Sequence, residues 1–156
     1  MLREQAMDEW VLGYDPGQTV AWTAIDQTGR VVFHRAHRWT TVGDLFRICV
    51  NVLRSHPNIT RVSIEEIPAT MTGRVLLPGK SAAIMELAAE YVGIPVTHWN
   101  PSTSNKAVVG HGRPGRRVVR ASLRIYIGRE RMQWHEVSAL VVALAEAGLR
   151  GRAPEK

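Results

Sequence analysis

Apolar and polar residues along the first third of the chain fall into short runs, and those at 10–15, 19–25 and 31–38 have the period and length of β-strands. Asp-Pro-Gly at 15–17 separates the first two, and "DQTGR" at 26–30, whose Gly29 suits a tight turn, separates the second from the third. An antiparallel meander is therefore expected. Val42, Leu45, Phe46, Cys49 and Leu53 then recur at helical spacing and predict a helix over 41–54. The β-branched run "RVSIEE" at 61–66 predicts a fourth strand. A loop punctuated by Gly and Pro follows, then a helix over "SAAIMELAAEYV" at 81–92 and a strand "IPVTHW" at 94–99. The last third reads as mostly helical, with a loop "GHGRPG" at 110–115, a basic helix over 116–127 and a terminal helix over 133–147. Strands and helices alternate from the fourth strand onward, which places the chain in the α/β class.

The 156 residues suffice for one domain, assigned to 10–149, with an N-terminal extension at 1–9 in which Met7 is an alternative start, and a flexible tail at 150–156. Twenty Lys and Arg against fourteen Asp and Glu give a net charge of +6, a balance that favours a polyanionic partner such as nucleic acid. The longest apolar run, "ALVVALA" at 139–145, falls well short of the ~20 residues that span a bilayer, and the N-terminus lacks a signal-peptide apolar core. A cytoplasmic protein is expected. Cys49, the single cysteine, sits on an apolar helix face and reads as a core hydrophobe.

The polar residues that end apolar runs carry the chemistry. Asp-Pro-Gly alone is ordinary turn chemistry, but Asp15 closes one apolar run while Glu65 and Glu66 close another. Acids at the ends of buried strands need a counter-charge, and metal ions would supply it. Alternation along a strand sends Glu65 and Glu66 to opposite faces, so at most one of them can join Asp15. In "QWHEVSALVVALA", His135 and Ser138 share a helical face beside an apolar stripe of Trp134, Val137, Val141 and Leu144, while Glu136 is turned about 100° away. A core histidine and a back-bonded serine would also account for that face. From Lys106 to Arg131 there are eight Lys or Arg against one acid, Glu130. Arg113, Arg116, Arg117, Arg120 and Arg124 include i, i+4 pairs on one side of the expected helix, which suits either phosphate contact or a solvated face. His34 and His37, three apart on a strand, face opposite sides, so no metal pair is expected there.

Taken in order, these motifs resemble the RuvC-type Holliday junction resolvases of the ribonuclease H-like superfamily. "VLGYDPGQTVAWTAI" resembles the family's first hairpin, with Asp15 at its first catalytic carboxylate, and "VSIEE" its fourth strand, with Glu65 at the second. "HWNPSTSNKAVVGHGRPGRRVVRASL" resembles the segment in which a Lys and Val-Val-Gly-X-Gly precede a basic helix, and the Ala- and Leu-rich final helix matches the terminal helix. The resemblance covers about 10–147. It implies a mixed five-stranded sheet, antiparallel in its first three strands and flanked by helices, in a homodimer whose candidate interface is the helix over 81–92. The implied activity is metal-dependent hydrolysis of DNA four-way junctions, with Mg²⁺ or Mn²⁺, two per subunit and weakly bound. Asp15, Glu65 and His135 are then the catalytic and metal-binding residues, Ser138 an additional metal contact, and Lys106, Arg113, Arg116, Arg117, Arg120 and Arg124 the DNA contacts.

Two departures stand out. Ser138 occupies the position of the family's terminal Asp and offers only a neutral hydroxyl. Pro68 stands where the family often has an aromatic wedge, for which Met71 or Leu76 are substitutes. The alternatives to an active resolvase are therefore a junction-binding protein with weak or lost cleavage, or a related nuclease acting on flaps or RNA–DNA hybrids.

Overall fold

A computed structural model describes residues 8–67 and 76–152. Strands β1 (Trp10–Asp15), β2 (Thr19–Ile25) and β3 (Val31–Arg38) form the expected antiparallel meander, and β4 (Ile59–Glu65) and β5 (Val96–Trp99) join it in the order β3-β2-β1-β4-β5. The β1–β4 and β4–β5 pairs are parallel, so the sheet is mixed. Gly29 adopts φ 88° in the β2–β3 turn, a region open to glycine at no steric cost.

The central strands are buried on both faces, which explains their near-continuous apolar runs. Leu12, Tyr14 and Ile64 pack with Leu45, Cys49 and Met85 beneath helices α1 (Val42–Ser55) and α2 (Leu76–Val92). Val11 and Ile25 pack on the other face against Leu140 and Leu144 of α6 (Trp134–Ala147), with Val108 from α3 (Pro101–Val109) and Val119 from α4 (Arg116–Ser122). Thr41 caps α1 by accepting from the Asp44 backbone N–H.

The approach of α6 to the sheet is unusually close because β1 carries a glycine beneath it. A Cβ at Gly13 would fall 1.8 Å from the carbonyl oxygen of Ala139. Two hydroxyls of the sheet bind the same helix from below: Thr23 Oγ1 donates to the Glu136 carbonyl at 2.7 Å, and Ser63 Oγ to the Val142 carbonyl at 2.9 Å.

The structure differs from the sequence expectation in several places. Helix α2 starts at Leu76 rather than 81, because Pro78 lies in its first turn, where the missing N–H costs nothing. Helix α3 is a separate element that the sequence pattern does not announce; Asn100 caps it and Pro101 opens it. The basic helix over 116–127 is two pieces, α4 and α5 (Arg124–Ile127), divided at Leu123, which has ψ 2° and is fully buried. The expected tail at 150–156 begins with anchored residues. Gly151 N–H donates to the Val108 carbonyl at 2.8 Å and Arg152 N–H to the Ser122 carbonyl at 2.9 Å. Pro68 and Met71 lie outside the described residues, as does the Leu76 side chain. No helix among the described residues is long and apolar enough to cross a membrane.

Candidate active site

Asp15 ends β1 and Glu65 ends β4, and these neighbouring parallel strands pair Tyr14 with Ile64. One step further along both strands, the two carboxyl groups come close enough for the charge of one to act on the other. Burial pushes the Glu65 carboxyl up to about 8, and the Asp15 charge adds to the shift. Burial also raises Asp15, opposed by its hydrogen bond with His135. One proton is thus retained between two carboxylates that cannot both ionise cheaply in this setting.

His135, in the first turn of α6, places Nδ1 2.9 Å from Asp15 Oδ2. That hydrogen bond lifts the imidazole above its ordinary pKa against the effect of burial and of the nearby Arg116 charge. Ser138, one turn further along, is half-buried and faces a different recess. With Glu65, Asn105 and Trp134 it lines a cleft of about 230 Å³. Asp15 and Glu65 line a second cleft of about 340 Å³, and Glu66 borders it as well. The strand ends at Glu65, so alternation no longer sets the direction of Glu66, which is exposed and has no hydrogen bond to Asp15. Glu65 thus separates the two recesses.

The residues suit a divalent cation by their chemistry. Two half-buried carboxylates side by side, one of them inclined to keep its proton, present hard oxygen donors to an ion that can replace that proton. Among the described residues, however, no three His, Cys, Asp or Glu side chains converge as a ready-made metal cluster.

The basic residues do not form one row. Arg116 stacks over the Trp134 ring, 4.8 Å from its centroid, on the side of His135. Arg117, Arg120 and Arg124 line a separate groove of about 330 Å³. Both terminal nitrogens of Arg120 donate to the Met132 carbonyl at 3.2 Å, so this arginine also ties α4 to the approach of α6. Lys106 is exposed near the end of α3, and Arg113 is exposed in the loop at 110–115.

Sequence reasoning missed two residues here. Trp134 packs beside the apolar stripe as expected, but it also forms a wall of the Ser138 cleft and carries Arg116. Glu136 is buried and bound to His34 at 2.7 Å. Its readable signal was the spacing to Gln133, which makes a capping box with it.

No family model matches the chain. It is 29% identical to the RuvC crossover junction endodeoxyribonuclease of Xanthobacter autotrophicus strain Py2, over 92% of each chain. It is 26% identical to that of Rhodospirillum rubrum, again over 92% of each. Its fold superposes on Thermus thermophilus RuvC with a TM-score of 0.75, at 21% identity over 89% of this chain and 93% of the other. With the same protein in complex with a Holliday junction substrate the TM-score is 0.77. The fowlpox virus Holliday junction resolvase gives 0.56 at 14% identity, over 88% of this chain and 97% of the other. Along nearly its whole length the chain is similar in sequence to RuvC crossover junction endodeoxyribonucleases, and it has the ribonuclease H-like fold of the solved RuvC structures.

Proposed function

We propose that the protein is an endonuclease that cleaves DNA four-way junctions by metal-dependent phosphodiester hydrolysis. The observation that carries this reading is the half-buried Asp15–Glu65 pair at the ends of adjacent strands, with His135 hydrogen-bonded to Asp15, in a chain similar along its length to proteins of that activity.

Asp15 and Glu65 would hold Mg²⁺ or Mn²⁺, two per subunit, with His135 as a third donor that favours Mn²⁺ and Ser138 as a weaker contact. The bound ions would make water nucleophilic and stabilise the leaving oxygen. The protein's own residues do the rest. Glu65 would have to give up its proton to hold an ion. His135, oriented through Nδ1, would turn Nε2 toward an ion at the edge of the site. Arg116, anchored on Trp134, sets a positive charge near His135 where a phosphate would approach. Lys106, Arg113, Arg117 and Arg124 extend that field to the flanking strands. The exposed Leu87 and Tyr91 of α2 offer an apolar face for a second copy, which would give two sites on one junction.

A second reading rests on the absence of a three-residue metal cluster among the described residues and on the neutral Ser138: a protein that binds junctions and cleaves them poorly. A cleavage assay on a synthetic four-way junction, with duplex, flap and RNA–DNA hybrid controls in Mg²⁺ and Mn²⁺, tests both. Selective cutting of the junction is expected. Binding without cutting supports the second reading, and preference for a flap or hybrid overturns both.

A further inference from the structure

Helix α6 is gripped from the sheet at the turn that carries His135. Glu136 is 5% exposed, and both its carboxylate oxygens are engaged: Oε1 accepts from the Gln133 backbone N–H at 2.8 Å, and Oε2 lies 2.7 Å from His34 Nδ1. The Glu136 carbonyl accepts from Thr23 Oγ1 at 2.7 Å. The other ring nitrogen of His34 lies 3.0 Å from Oε2 of Glu130, in the connection that leads into α6. Ionised carboxylates only accept, so an imidazole bridging two of them donates from both nitrogens and carries a charge. That charge is what a buried Glu136 requires.

Glu136 directly follows His135, so fixing one fixes the rotation of the other about the helix axis. A side-chain tip about 5–6 Å from that axis moves roughly 1 Å for a turn of about 10°. We propose that His34 is a positioning residue for the cleavage site: by clamping Glu136 it sets the rotation of α6 that delivers His135 to Asp15. The inference rests on the function proposed above for its kinetic consequence, and on the structure alone for its geometry.

The ring ¹⁵N shifts of His135, read through its carbon-bound protons in metal-free protein, report the Nδ1 hydrogen bond without substrate. In His34→Phe, which keeps ring bulk and removes both donors, these shifts move to those seen for His135 in Asp15→Asn. Junction cleavage then loses about tenfold to a hundredfold in kcat, with KM within about twofold of wild type. His34→Gln, which retains an amide donor for Glu136, recovers most of both. Wild-type shifts and kcat in folded His34→Phe overturn the proposal, whatever its Tm, because His34 would then only stabilise the fold. If His34→Phe does not fold, Glu136→Gln, which keeps the side-chain shape and removes the charge that His34 holds, decides: shifted His135 resonances support the clamp, and wild-type shifts overturn it. Failure of the wild type to cut junctions would remove the functional reading while the ¹⁵N measurement still decides the clamp.

Discussion

His135 Nδ1 and Asp15 Oδ2, 120 residues apart in sequence, lie 2.9 Å from each other, and the charge of Asp15 in turn acts on Glu65 beside it. The three groups form a chain in which each protonation state depends on the next. The pH response of the site follows from it.

Glu65 has a folded pKa of about 8 against an ordinary 4.5. The native state therefore binds more protons than the unfolded state between those values, and its stability falls as pH rises from 4.5 to 8. His135 acts in the same sense, since its raised pKa gives stability that is lost as pH rises through the folded value. Metal-free protein should melt at a lower temperature at about pH 8.5 than at about pH 6, and Glu65→Gln should flatten that dependence. The rise in Tm on adding Mn²⁺ should be larger at about pH 8.5, because loading displaces a proton. Melting curves over this range check both, and a pH-independent Mn²⁺ effect would contradict the assignment of Glu65.

The arginines should separate by role. Arg116→Ala and Arg117→Ala should weaken junction binding and reduce its salt dependence by up to ~0.9 log units per log unit of salt for each phosphate no longer neutralised. Arg120→Ala should in addition destabilise the fold by about 1 kcal/mol, since it also removes the hydrogen bonds to the Met132 carbonyl. Binding titrations at several salt concentrations, paired with thermal melts, distinguish the two effects.

The strands and most helices were legible because burial on both faces leaves plain apolar runs, and Asp15 and Glu65 stood out as acids at the ends of such runs. Two helix boundaries were obscured by proline: Pro78 looked like a loop residue and Pro101 belonged to a motif, although both sit in first turns that tolerate them. The split at Leu123 reflects the demand of the α6 core for a buried leucine, a tertiary effect no local pattern announces. The same holds for the His34–Glu136 pair, whose members are 102 residues apart and join an edge strand to a helix start. Arg120 looked like its neighbours in sequence, and only packing turned it toward Met132.

Gly13 fixes how deeply α6 sits. Gly13→Ala puts a methyl group against the Ala139 carbonyl and the Ala143 side chain, so the helix must move outward. A destabilisation of about 1–3 kcal/mol is expected from such overpacking, together with weaker cleavage as His135 leaves Asp15. Chemical denaturation and single-turnover cleavage measure the two effects, and a variant as stable as wild type would show that the helix is not seated this tightly.

Ser138 faces the Glu65 cleft with a hydroxyl. If that cleft is part of the metal environment, Ser138→Asp should lower the metal concentration for half-maximal cleavage and reduce the preference for Mn²⁺ over Mg²⁺, because a carboxylate adds charge and a stronger oxygen donor. Unchanged half-saturation for both metals would place position 138 outside the metal environment.

The most direct test of the central claim is single-turnover cleavage of a synthetic four-way junction in Mn²⁺ by wild type and by Asp15→Asn, with junction binding measured on the same samples. Asp15→Asn removes the carboxylate that joins Glu65 to His135 while keeping its shape. The account predicts that wild type cuts the junction and that Asp15→Asn binds it at least as tightly without cutting. Cleavage by Asp15→Asn at a rate near that of wild type would contradict it.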